Sequence, residues 1–109
     1  MNAIRLTLIA LIVCARSGSA GEIYGTIKEG ERPVGKGVTL EIKSAVQSYP
    51  AVTDEFGNYR VVVAETGKCA ITVQFSGQSI PGEVQSYWKS VRFDWVLEKT
   101  GEKYSLKRQ

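Results

Sequence analysis

The sequence predicts an all-β protein, a single antiparallel β-sandwich of about seven strands. Three observations carry that prediction. Apolar and polar residues alternate with a period of two in several short runs, most clearly through Tyr59, Val61 and Val63 and again through Cys69, Ile71, Val73 and Phe75. Turn signals rich in Gly, Pro, Asp and Asn recur roughly every ten residues. No stretch places apolar residues at helical spacing over the length that a helix requires.

Residues 1–20 stand apart from this pattern. Arg5 supplies a positive start, Leu6 to Ala15 is an almost unbroken apolar run, and Arg16 to Ala20 is small and polar. This is the layout of a secretory signal peptide, with Gly18 and Ala20 at the small positions of a cleavage site. The apolar run is about half of the ~20 residues that a spanning helix needs. Leu11-Ile12-Val13-Cys14 offers a lipid-modified cysteine as the alternative, although Val13 occupies a place that normally needs a smaller residue. A secreted or periplasmic domain of residues 21–109 is therefore expected, with no membrane span once the signal is removed.

Along that domain the first strand runs from Glu22 to Lys28, with Ile23, Gly25 and Ile27 on one face. Glu29 to Lys36 reads as a turn-rich connection, because Pro33 fixes a bend and donates no hydrogen bond. Val38, Leu40 and Ile42 form the buried face of the next strand, and a short strand is possible around Ala51 to Thr53. Asp54 to Asn58 is the tightest turn signal, with a carboxylate able to accept backbone N–H bonds and a glycine able to take positive φ. The strands on either side of Glu65-Thr66-Gly67 are expected to form a hairpin closed by that turn. Gly77 to Ser90 reads as a long loop, perturbed at most by a short edge strand near Val84. Val91, Phe93, Trp95 and Leu97 mark one further strand, and Tyr104 to Leu106 a last short one after a turn at Lys99 to Glu102.

Composition excludes more than it assigns. The 109-residue chain is 43% hydrophobic and 23% charged, as an ordinary globular domain is. Its net charge of +3 falls to +1 once Arg5 and Arg16 leave with the signal. That balance gives no reason to expect a nucleic-acid partner. Cys69 is then the one remaining cysteine, so no intramolecular disulfide can form.

Several of these residues, at this spacing, resemble a known family. Ile23-Tyr24-Gly25-Thr26-Ile27, then Gly30, Pro33-Val34 and Gly35, then Val38-Thr39-Leu40, then Thr53-Asp54-x-x-Gly57-x-Tyr59, then Gly67-Lys68-Cys69 look like the carboxypeptidase regulatory-like domain. The resemblance covers roughly Ile23 to Phe75. It departs from the family at Gly37, Phe56 and Cys69, where Ala, a polar residue and Tyr are usual. It implies a transthyretin-like Greek-key sandwich and a non-catalytic accessory role.

Chemistry at the level of single residues points the same way. The chain has no His, which removes the commonest general base and metal ligand. Cys69 shares the parity of Ile71 and Val73, so it reads as a buried thiol rather than a nucleophile. Asp54, Glu55 and Asn58 lack the spacing of a calcium loop. No catalytic residue, metal or cofactor is expected.

Binding is the remaining option, and the Gly77 to Ser90 segment is the place expected for it. Tyr87, Trp88 and Lys89, with Tyr49 as a further ring, offer flat apolar surface beside a charge. Trp88 would either contact a ligand or pack as a lid over one end of the sandwich. The outward strand faces read as Thr39, Glu41, Lys43, Arg60, Thr72, Gln74, Arg92 and Glu98, with no comparable surface. The partner is expected to be a protein, in an interaction or assembly role outside the cytoplasm, or alternatively a polysaccharide.

Overall fold

The computed structural model describes residues 21–109, so the signal segment and Cys14 lie outside the described residues. Ten strand segments follow one another: β1 (Gly21–Glu29), β2 (Arg32–Pro33), β3 (Thr39–Lys43), β4 (Ser48–Val52), β5 (Asn58–Val63), β6 (Gly67–Phe75), β7 (Gln78–Ser86), β8 (Val91–Arg92), β9 (Trp95–Thr100) and β10 (Lys103–Arg108). They build two sheets that close face to face as a β-sandwich. In the first, β1 is central. It pairs with β5 and the short β2 antiparallel, and with β8 and β9 parallel, while β10 extends β9. The second sheet has the order β4-β3-β6-β7 and is antiparallel throughout.

The core is what the period-two alternation expects. Ile23, Ile27, Tyr59, Val61, Val63, Trp95 and Leu97 face inward from the first sheet, against Leu40, Ile42, Ile71, Val73, Ile80 and Val84 of the second. Each such aliphatic side chain contributes ~1.5–3 kcal/mol on burial. Two glycines make room in the core, Gly25 for the β8–β9 connection of its own sheet and Gly82 for the opposite layer. A Cβ at Gly25 would fall on the Phe93 carbonyl oxygen, and one at Gly82 would lie 2.8 Å from Leu106 Cδ2 and 3.3 Å from the Trp95 ring.

Three strand expectations are corrected. The stretch Tyr59 to Phe75 is not a hairpin: β5 pairs with β1, whereas β6 pairs with β3 and β7 in the opposite sheet. Residues 64–66 arch from one layer to the other, so the two apolar faces meet across the core instead of lying side by side. Gln78 to Ser86, most of the expected Gly77 to Ser90 loop, is not a loop either. It is β7, in register with β6 from Gly67↔Ser86 to Phe75↔Gln78. Ser76 and Gly77 take positive φ of 52° and 75°, the two-residue turn that matches strand twist. Pro81 is tolerated because β7 is an edge strand. Finally, the run Val91 to Glu98 is broken at Phe93-Asp94. There Asp94 Oδ1 accepts the Thr26 N–H (2.9 Å) and hydroxyl (3.2 Å), and Phe93 N–H donates to Tyr24 O (2.8 Å).

Local turn chemistry fixes the end of the sandwich holding residues 53–57. Asp54 Oδ1 accepts the N–H groups of Phe56 and Asn58, both at 2.9 Å, and Gly57 takes φ 77°. The buried Thr53 hydroxyl donates to Gly35 O (2.6 Å) and accepts Val38 N–H (3.0 Å), stapling the 34–38 connection to β4.

The four long edges differ. β4 carries Pro50, β7 carries Pro81, and β10 carries Lys103, Lys107 and Arg108. β5 has no proline and no lysine, and its one basic side chain is Arg60. Its terminal donors are taken, Asn58 N–H by Asp54 and Ala64 N–H by the Tyr49 hydroxyl, which leaves Arg60 to Val62 as its open stretch.

Candidate ligand-binding surfaces

The chain order of the strands gathers one set of connections at one end of the sandwich. There β3 turns into β4, β5 arches into β6, and β7 leaves its sheet toward β8. The short 87–90 connection holds Tyr87 and Trp88 at its start, and the Tyr87 carbonyl packs directly over Gly21. Trp88 is 70% exposed and Tyr87 44%, with Lys89 Nζ 5.8 Å from the centroid of the Trp88 ring. Trp88 is thus not a lid on the core. It stands off the end of a rigid scaffold, where an ammonium beside an indole face presents apolar area and charge together.

Tyr49 does not join them as an exposed ring. It is half-buried in β4, and its hydroxyl is fully committed. It donates to Glu65 Oε1 (2.7 Å) and accepts from Ala64 N–H (3.2 Å) and Gln47 Nε2 (2.9 Å), while Ser44 Oγ donates to the same Glu65 oxygen at 2.7 Å. Burial and the Glu65 hydrogen bond raise the Tyr49 pKa. The donors from Tyr49 and Ser44 hold the Glu65 carboxyl below its ordinary range. Tyr49 is a clasp between β4 and the inter-sheet arch.

Cys69 is buried in β6, and burial pushes its thiol pKa up, with the Glu65 charge adding to the effect. Neither change favours a thiolate nucleophile.

A second surface was not legible as a site in the sequence. The outer face of the first sheet carries Arg92, Tyr24 and Arg60 side by side, because Tyr24 is in register with Arg92 of β8 on one flank and Arg60 of β5 on the other. Together with Val52, Asp54 and Asn58 they line an open groove of about 500 Å³. Arg92 Nε makes both contacts to the Asp94 carboxylate, at 2.8 and 3.0 Å, and its Cζ lies 5.8 Å from the Tyr24 ring centroid. Arg60 Nε lies 3.1 Å from Glu22 Oε2. Although partial burial acts the other way, Arg92 and the Thr26 N–H hold Asp94 below its ordinary pKa. The available signal was parity. Tyr24 lies out of phase with Ile23 and Ile27, so it had to face outward between two polar neighbouring strands.

No protein-family model matches the chain, and no curated protein matches it. Among solved structures it is similar to a candidate carbohydrate-binding protein from Bacteroides uniformis, with a TM-score of 0.52 and 17% identity over 81% of this chain. The chain spans about half of that protein, 53% of its length. At this identity the likeness is one of fold, and it agrees with the two-sheet architecture found here.

Proposed function

We propose that this chain is a small, exported, non-catalytic binding module that engages a protein partner through the Tyr87-Trp88-Lys89 end of its sandwich. The observation that carries this reading is the 70% exposure of Trp88 on a connection anchored at both sides by strands. Exposed Trp and Tyr are the residues that most often supply binding energy at interfaces, and Val46, 73% exposed, belongs to another connection at the same end. The resemblance to the carboxypeptidase regulatory-like domain supports an accessory role, and so does the lack of His in the chain. The export reading rests on the composition of residues 1–20. The test is affinity capture from the envelope fraction of the source cell with wild-type and Trp88→Ala protein, beside a thermal melt of each. Specific partners retained by the wild type and lost by a fully folded variant are the expected result. Equal retention by both would refute it.

A second reading, carbohydrate binding, is favoured by the exposed Tyr87 and Trp88 rings, which offer flat apolar faces of the kind a sugar ring packs against. The solved structure of similar fold is itself described as a candidate carbohydrate-binding protein, which supports this reading. A screen of oligosaccharides by NMR tests it, and the absence of any bound saccharide would dismiss it.

A further inference from the structure

From the groove over Tyr24 we infer a subsite for one ring of a neutral glycan; the inference rests on the carbohydrate reading and goes beyond it by assigning the place and the class of sugar. Three features of the groove lead there.

The first is a ring of the right kind in the right setting. Tyr24 is half-buried in the central strand, so its ring is held by the sheet where it lines the groove, with Arg92 Cζ 5.8 Å from its centroid. Sugar rings present C–H groups on their faces, which pack against an aromatic face as other apolar surface does. The second is a set of fixed hydrogen-bonding groups around that ring. The Arg60 and Arg92 ion pairs are both made through Nε, which leaves the Nη groups of each fork for another partner. Opposite them, Asp54 Oδ1 is consumed by two backbone N–H groups, whereas Oδ2 has only the long 3.4 Å contact from Asn58 Nδ2. Guanidinium donors on one side and a carboxylate acceptor on the other match the vicinal hydroxyls of a sugar, each of which both donates and accepts.

The third feature is charge, and it decides the class. The two guanidiniums of the groove are opposed by three carboxylates, those of Glu22, Asp94 and Asp54. An acidic sugar would therefore enter a site whose positive groups are already neutralised and meet a surplus carboxylate. A nucleotide or phosphate would meet the same surplus. A neutral ring loses nothing by it and gains charge-assisted hydrogen bonds that are already oriented.

The experiment is a titration of the ¹⁵N-labelled chain with neutral hexasaccharides (cello-, xylo-, manno- and malto-hexaose) and, separately, with hexagalacturonate. The expected result is saturable shifts at Gly25, Asn58 and the Arg60 Nε–H with at least one neutral hexasaccharide. Tyr24→Ala should weaken that binding about tenfold, and Glu83→Gln, on β7 of the opposite sheet, should leave it unchanged. Arg60→Gln, at a side chain 73% exposed, is the second variant should Tyr24→Ala fold poorly, and it should weaken binding severalfold. Three results would each overturn the proposal: no neutral hexasaccharide shifts the groove, hexagalacturonate binds more tightly than all of them, or Arg60→Gln binds as the wild type does. A saccharide that shifts only the Trp88 indole would sink the groove while sparing the carbohydrate reading. The absence of shifts anywhere would sink both.

Discussion

Replacing Tyr59 by Phe removes a single oxygen from the centre of the fold. Tyr59 is 3% exposed, and its hydroxyl donates to Phe93 O at 2.6 Å, crossing above the Gly25 position of β1. That bond ties edge strand β5 to the break between β8 and β9. Without it a buried carbonyl keeps no donor, which costs ~1–3 kcal/mol. The Trp95 Nε1–H, buried with no hydrogen-bond partner, would also lose the neighbouring Tyr59 hydroxyl. For a domain of this size each kcal/mol lowers the Tm by ~4–8 °C, so a fall of ~4–24 °C is expected. The same hydroxyl sets an alkaline response. Burial raises its pKa well above the ordinary value of 10.0. The native state therefore favours the protonated phenol, and the stabilisation is complete below pH 10 and declines as pH rises past it toward the folded pKa. In that window the wild type should lose up to ~1.4 kcal/mol per pH unit relative to Tyr59→Phe. Thermal melts at pH 7 give the first quantity and urea melts at pH 7 and at pH 10 to 11 the second, with Tyr24→Phe on the outer face as the control. A Tm within 2 °C of wild type, or two variants that melt alike, would refute the bridging role of this hydroxyl.

Other substitutions have definite expectations. Trp88→Ala should cost under ~2 kcal/mol, since most of the ring is already solvated, against ~3–5 kcal/mol for a core Trp; a chemical denaturation curve separates the two. Gly82→Val should cost ~1–3 kcal/mol by overpacking against Leu106, Ile71 and Trp95, visible as a lowered Tm. Cys69→Ala should cost ~1 kcal/mol, and native Cys69 should resist thiol reagents until denaturant is added. Glu65 has a depressed pKa, so its contribution is present above the unfolded carboxyl pKa and lost as pH falls through the folded value. Glu65→Gln should therefore flatten the acid limb of a stability-pH curve while lowering its neutral plateau.

Parity was legible and partnership was not. The alternation of Tyr59, Val61 and Val63 and of Cys69, Ile71 and Val73 identifies which side chains are buried, and all six are. Alternation is the same whether two strands lie beside each other or face each other across a core, so the arch at 64–66 could not be told from a hairpin. β7 was hidden for another reason. Gly77, Pro81 and Gly82 weaken any strand signal, yet on an edge Pro81 costs no ladder bond, and Gly82 supplies the room that Trp95 needs. At the candidate sites, the exposure of Trp88 follows from where β7 ends, which the sequence did not mark. Tyr24 was legible as an outward residue, but its flanking by Arg60 and Arg92 depends on register across three strands.

The edge strands carry a consequence for how these molecules can meet. Backbone pairing between chains needs a stretch of free donors and acceptors, and proline or lysine bars it along three of the four long edges. Among the described residues only Arg60 to Val62 remains, a short stretch with β4 packed beside it. A domain such as residues 21–109, with one open edge, can satisfy it against one other chain and then has none left to offer. Growth by edge addition therefore stops at a pair, and a fibre, which requires two open edges per molecule, is closed to this fold as long as it stays folded.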